Sequence, residues 1–152
     1  MFPVPLRFDP PPGWDVVLPA PVPETVTLAP VGPAPASGFR PRIAVTGSIG
    51  AVEELSDAAR RLARTMQAAA VSARILDHQA DLTPPAPVVV QAMEVVQSDR
   101  TLRHVDFLLD AAGPDAPGGR RRLHLAVTAD ERDFASALTA FEGLLGTIEV
   151  DD

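Results

Sequence analysis

Four β-like segments follow one another with no helix between them, and this feature constrains the fold more than any other. They are Ala73–Gln79, Val88–Gln97, Leu102–Ala111 and Arg121–Thr128. Pro- and Gly-rich loops, "TPPAP" and "GPDAPGG", separate them, and "QSDRT" between the second and third reads as a tight turn. Parallel neighbours would need a crossover of about a dozen residues or more, usually a helix. Strands joined by short loops therefore predict an antiparallel sheet, with a hairpin around "QSDRT".

The stretch Arg42 to Ala63, "RIAVTGSIGAVEELSDAARRLA", raises a competing possibility. A β-branched run meeting Thr-Gly and then a helix resembles the start of a dinucleotide-binding domain, where glycines let the backbone approach a pyrophosphate. Only Gly47 and Gly50 are present, spaced G-x-x-G; neither G-x-G-x-x-G nor Gly-Lys-Ser/Thr occurs. Strands following without helices also deny the parallel sheet that such a domain needs. The reading is thus a strand through Ile43, Ala44 and Val45, a turn eased by Gly47, and a helix opened by Ser48 or Gly50 and running to about Ala70. Its apolar stripe is Leu55, Ala59, Leu62, Met66 and Ala69. Glu53 and Glu54 near its start suit the helix dipole.

A second helix is expected near the C-terminus. Thr128 or Asp130 can cap it, and Phe134, Ala137, Leu138, Phe141, Leu144 and Leu145 form its stripe. Gly146 stops it, and "TIEV" is expected to return along the sheet. Residues 1–40 are Pro-rich, which confines strands to short edges. Trp14–Leu18 and Thr25–Leu28 fit an edge hairpin. The resulting order is hairpin, strand, helix, strand run, helix: an α+β fold, mostly antiparallel, with two helices covering the sheet, and one domain over residues 1–152.

Composition narrows the function. The net charge of −7 argues against a general nucleic-acid surface, which needs a basic footprint. The absence of cysteine removes disulfides, thiolate metal sites and Cys nucleophiles, and suits a reducing compartment. No apolar run approaches the ~18–20 residues of a membrane span. The N-terminus lacks the basic and apolar regions of a signal peptide. The expectation is a cytoplasmic protein without membrane insertion.

The polar residues that stand out are His104, Asp106, Arg122 and His124. His104 and Asp106 are two apart and share a strand face, and His124 can lie near them across the next hairpin. They are expected to form a polar patch on the less buried face of the sheet. No catalytic residue, metal ligand set or cofactor is assigned. No G-x-S-x-G occurs, and the histidines show no H-x-H or H-x-x-x-H spacing. The run Arg120–Arg122 reads as the solvated start of a strand, with anion binding as the alternative.

The residues also support a resemblance. "FDPPPGW" (Phe8–Trp14), then "FRPRIAV" (Phe39–Val45), then the amphipathic helix, the strand run and "LHLAVTADERDFASALTAFEGLLGTIEV" span nearly the whole chain. In layout this resembles the PsbP-like fold family, shared with the Ran-release factor Mog and with bacterial LpqN-type and Eag-chaperone-like relatives. Arg42 departs from the pattern, since bacterial relatives often carry Asn there. The resemblance implies an antiparallel sheet between helices and a non-enzymatic role. That role is binding another protein, as an adaptor or as a chaperone-like accessory to secretion. It also implies that Phe8, Trp14 and Phe39 pack the core or the hairpin. High Ala, Arg and Pro content suits an actinobacterial source. Two other readings stand beside this one. One is a small-molecule binder or small enzyme using the face around His104, Asp106 and His124. The other is a homodimer, because Val88, Val90 and Val96 face one side of their strand while Val89, Met93 and Val95 face the other.

Overall fold

The computed structural model describes residues 6–17, 25–83, 86–112 and 119–150. Its strands are β1 (Leu6–Arg7), β2 (Trp14–Val16), β3 (Thr25–Pro30), β4 (Arg42–Ile49), β5 (Ser72–Asp81), β6 (Val88–Val96), β7 (Thr101–Ala112), β8 (Arg121–Asp130) and β9 (Glu149–Val150). Two helices, α1 (Leu55–Ala69) and α2 (Phe134–Leu145), complete the described elements. Strands β2 to β8 form a seven-stranded sheet in the order β2-β3-β4-β8-β7-β6-β5, antiparallel at every step. The predicted α+β class and the "QSDRT" hairpin are both present, the latter closed by Gln97 N–H donating to the Arg100 carbonyl. The edge hairpin is β2–β3; Leu18, the predicted end of its first strand, lies outside the described residues.

The two faces of the sheet differ in chemistry. One carries Leu28, Ile43, Val45, Leu123, Leu125, Val127 and Ala129, and α2 packs Ala137, Phe141 and Leu144 onto it. Phe8 and Trp14 pack against the margin of this core, as the aromatic landmarks implied. Fully burying side chains of this size contributes roughly 1.5–3 kcal/mol each. The other face carries Val89, Gln91, Met93 and Val95 from β6 and the polar residues of β7 and β8. Helix α1 covers its β5–β6–β7 half, packing Leu55 and Ala59 on Val89 and Leu108, and Ala63 against the Met93, Val95 and Leu102 cluster. Phe39 joins that cluster's edge, with the Arg42 and Arg100 guanidinium groups 5.8 and 5.5 Å from its ring centre.

Several local expectations need correction. Gly47 does not turn the chain: β4 stays paired with β8 through Gly47–Leu123, Ser48–Arg122 and Ile49–Arg121, because a full-length neighbour satisfies its backbone. The chain leaves the sheet at Gly50, which has φ +81° and donates its N–H to the Arg120 carbonyl at 2.7 Å. Helix α1 starts only at Leu55, after Glu54. Thr128 and Asp130 cap nothing, since β8 runs through both; α2 begins after Asp133, and Asp130 Oδ1 accepts the Arg132 N–H in the connecting turn. The "TIEV" segment leaves the main sheet and pairs with the N-terminus as β1–β9.

Candidate functional site

Register brings the polar residues of β7 and β8 together on the face beneath α1. His104 stands opposite Thr128, Asp106 opposite Ala126, Leu108 opposite His124, and Asp110 opposite Arg122. Period-two alternation puts all of these on one face. Asp106 therefore faces a residue too small to fill the space before it, and two imidazoles converge there. His104 Nε2 lies 2.9 Å and His124 Nε2 2.6 Å from the same oxygen, Asp106 Oδ1. A carboxylate oxygen only accepts, so both Nε2 atoms donate. The other nitrogen of His104, Nδ1, meets the Thr128 hydroxyl at 2.7 Å.

These groups do not form a surface patch. Asp106 is 1% exposed and His104 7%; solvent reaches the trio mainly at His124. The expected open patch is closed because α1 lies over β7 and β6. Burial by itself would raise the Asp106 carboxyl, but the hydrogen bonds and charges of His104 and His124 outweigh it and lower the group to about 2. Its second oxygen, Oδ2, is buried and has no hydrogen-bond partner among the described residues.

A cavity of about 260 Å³ opens against this trio. Leu62, Thr65, Met66 and Ala69 of α1 wall it, and His104, Asp106 and His124 form its floor. The α1 stripe explains the shape. Leu55 and Ala59 at one end are fully buried, whereas Leu62 and Met66 are half-buried and Ala69 is exposed. Leu62 and Met66 pack on the sheet clusters with only part of their surface, and what stays uncovered lines the cavity.

Arg122, grouped with the trio by sequence, belongs to a neighbouring cluster. Its Nε and Nη2 donate to Asp110 Oδ1 and Oδ2 at 2.8 and 3.2 Å, and Nη2 also reaches the Glu53 carbonyl at 2.7 Å. Arg120 donates to the same carbonyl and to Glu54. Arg120 and Arg122 are buried, so the expected solvated strand start is corrected: they tie the entrance of α1 to the sheet. A third polar tie is Gln91, wholly buried, whose Nε2 donates to the Ala59 carbonyl and whose Oε1 meets His78 Nδ1, each at 3.1 Å.

Thr128, Asp110, Gln91 and the cavity wall escaped the sequence reading. Alternation held a signal for the first two, since Asp110 and Thr128 fall in phase with Asp106 and His124.

Chemically, Asp106–His104–Thr128 has the carboxylate–imidazole–hydroxyl order of a nucleophilic relay. Thr128 is only 6% exposed and takes no part in the cavity wall, so its hydroxyl has no access to a substrate there. Among the described residues, no three His, Asp or Glu are arranged to hold a metal ion. No described helix is long and apolar enough to cross a membrane. What the geometry provides is a recess with an almost wholly apolar accessible lining, set against a buried and hydrogen-bonded His104–Asp106–His124 trio.

An antiparallel sheet with one helix on each face places the chain among α/β/α sandwiches of the α+β class. No protein-family model matches it, and no curated protein matches it by sequence. Solved structures do match. LpqN of Mycobacterium tuberculosis, a protein involved in cell envelope biogenesis, superposes with a TM-score of 0.67 at 11% identity, over 97% of this chain and 83% of that one. The cyanobacterial PsbP (CyanoP) of Synechocystis sp. PCC 6803 superposes with a TM-score of 0.66 at 14% identity, over 97% and 87%. The chain has the PsbP-like fold, with LpqN among its structural relatives.

Proposed function

We propose that this chain is a non-enzymatic binding protein whose partner is another protein, and that the cavity between α1 and His104, Asp106 and His124 is where the partner is held. The observation that carries this reading is the size and lining of the recess. Small-molecule sites commonly run ~300–1,000 Å³; about 260 Å³ with four walls from one helix suits a single inserted side chain better than a whole metabolite. The engagement of His104 and Asp106 with each other favours a fixed recognition floor over a proton-transfer site. A cytoplasmic adaptor or a chaperone-like accessory to secretion is the narrower form of the proposal. It rests on analogy of fold.

Affinity purification from the source cells tests it, using the wild-type chain beside Ala69→Trp, which fills the cavity mouth from an exposed helix position. A stoichiometric protein recovered by the wild type and lost by the variant is the expected result. Equal recovery by both would place the interface elsewhere. Recovery of nothing by either folded chain would overturn the protein-binding reading.

A further inference from the structure

Strand β5 ends the seven-stranded sheet, and among the described residues only β6 pairs with it. It runs ten residues with exposed side chains at nearly every position, Ile75 and Leu76 among them. A long edge is a template for a further strand unless something blunts it. Which of its backbone groups face outward follows from the neighbouring hairpin. Gln97 and Arg100 are hydrogen-bonded across β6–β7, and such pairs recur at every second residue. The odd-numbered residues of β6 therefore bond β7. The even-numbered ones bond β5, through Ser72, Arg74, Asp77, Gln79 and Asp81. Ala73, Ile75, His78 and Ala80 are left with N–H and C=O pointing away from the sheet. Side chains cover two of these groups: the His78 N–H donates to Asp77 Oδ1 at 3.0 Å, and the Ala73 carbonyl accepts from Gln67 Nε2 at 3.4 Å. Both contacts are exposed, so an incoming strand can displace them.

The four outward residues are unevenly spaced, because Leu76 is an extra residue where the register shifts between Ile75 and Asp77. A bulge of this kind spoils pairing with a regular strand. It does not spoil pairing with an identical strand. We propose that the β5 edge is the interface with a second copy of this chain, which lays its own β5 antiparallel on it about a two-fold axis between Leu76 and Asp77. In that register Ala73 meets Ala80 of the second copy, and Ile75 meets its His78. Every outward residue then finds an outward partner, and the two bulges face each other at the axis. No other antiparallel self-pairing of β5 matches all four. Charge agrees with the same register. Arg74 shares its face with Asp77 and Asp81, since their β6 partners Glu94, Ala92 and Val88 all lie on one side of the sheet. It comes opposite Gln79 of the second copy, diagonal to that copy's Asp77 and Asp81 and within reach of a long side chain. The Arg74 side chain is 70% exposed and bonds Glu94 from one side, leaving its outer side toward the newcomer. A two-fold contact makes each of these pairings twice.

Sedimentation of the full chain over a concentration series tests the proposal, with wild type beside Ala80→Pro. Proline removes the outward Ala80 N–H and leaves the bonds to β6 in place, a substitution that edge strands tolerate. The wild type should show a monomer–dimer equilibrium. Ala80→Pro should weaken it at least about tenfold, because each copy loses an interface donor. A wild type that stays monomeric at every soluble concentration would overturn the proposal. So would a dimer that folded Ala80→Pro leaves equally tight, since the contact would then lie elsewhere. Should Ala80→Pro fail to fold, disulfide trapping decides, in a chain with no cysteine of its own. Ala73→Cys combined with Ala80→Cys sets the two directly opposite across the axis, at the about 5.5 Å Cα separation of a hydrogen-bonded pair, which a disulfide spans. Within one extended strand the two are too far apart to bridge. Mild oxidation should yield a covalent dimer, and Ala73→Cys with His78→Cys, out of register, should trap far less. Equal or better trapping by the out-of-register pair, or none by either, would overturn the β5 pairing.

Discussion

His104 and His124 stand on neighbouring strands four register positions apart, two to either side of the Asp106–Ala126 pair, yet both bring Nε2 to one oxygen, Asp106 Oδ1, at 2.9 and 2.6 Å. Ala126 makes this convergence sterically available, since it is the residue directly opposite Asp106. The shared oxygen joins β7 to β8 beneath the cavity, and Oδ2 is buried without a hydrogen-bond partner among the described residues.

Asp106 links this site to acid stability. Its folded-state value, about 2, lies below the ordinary 3.8. A depressed carboxyl stabilises the fold above its unfolded value, and the contribution is lost as pH falls through the folded one. The difference corresponds to roughly 2 kcal/mol. Asp106→Asn should therefore lower the urea midpoint at pH 7, and its gap from wild type should narrow between about pH 4 and pH 2. A gap that stays constant over that window would contradict the assignment.

Asp110 holds Arg122 in a buried pair, with Arg120 beside it at 3.7 Å. Removing one partner of such a pair strands the other, at a cost of about 3–5 kcal/mol. Asp110→Ala should approach that loss in denaturant unfolding. Glu54→Ala should cost under about 1 kcal/mol, because the Glu54 side chain is mostly in water. Similar losses in the two variants would mean that the buried cluster does not anchor α1.

Ala126→Val tests the space opposite Asp106. Ala126 is buried, so two added methyl groups must crowd the imidazoles. Overpacking of this kind costs about 1–3 kcal/mol, and it should move the His124 ring resonances. Unchanged His124 resonances together with full stability would show that Ala126 is not what lets the trio close.

Gly50→Ala isolates backbone strain. A Cβ there meets nothing within 4 Å, so the cost is that of φ +81° alone. About 1–2 kcal/mol is expected from thermal or urea unfolding. A neutral substitution would mean that the chain does not need this conformation to leave β4.

Much of the sheet was legible because strand signals are local. Alternation in Arg121–Thr128 and the turn at "QSDRT" set strand type and one hairpin without tertiary information. The start of α1 was misplaced because Gly47 satisfies a strand as well as a turn, and only the pairing with Leu123 decides between them. The His104–Asp106–His124 grouping followed from parity along strands. Its burial did not, since that depends on where α1 comes to rest. The cavity was hidden for the same reason: Leu62, Met66 and Ala69 read as core by spacing, and only the resting place of α1 leaves them lining a recess as well.

The convergence of two imidazoles on one oxygen beneath the cavity requires Asp106 to remain an anion in the folded chain. Its side-chain carboxyl ¹³C resonance, followed against pH in the intact protein, measures this directly. A midpoint near 2 is predicted. A midpoint at or above the ordinary 3.8 in a chain that is still folded would contradict the shared hydrogen bonds.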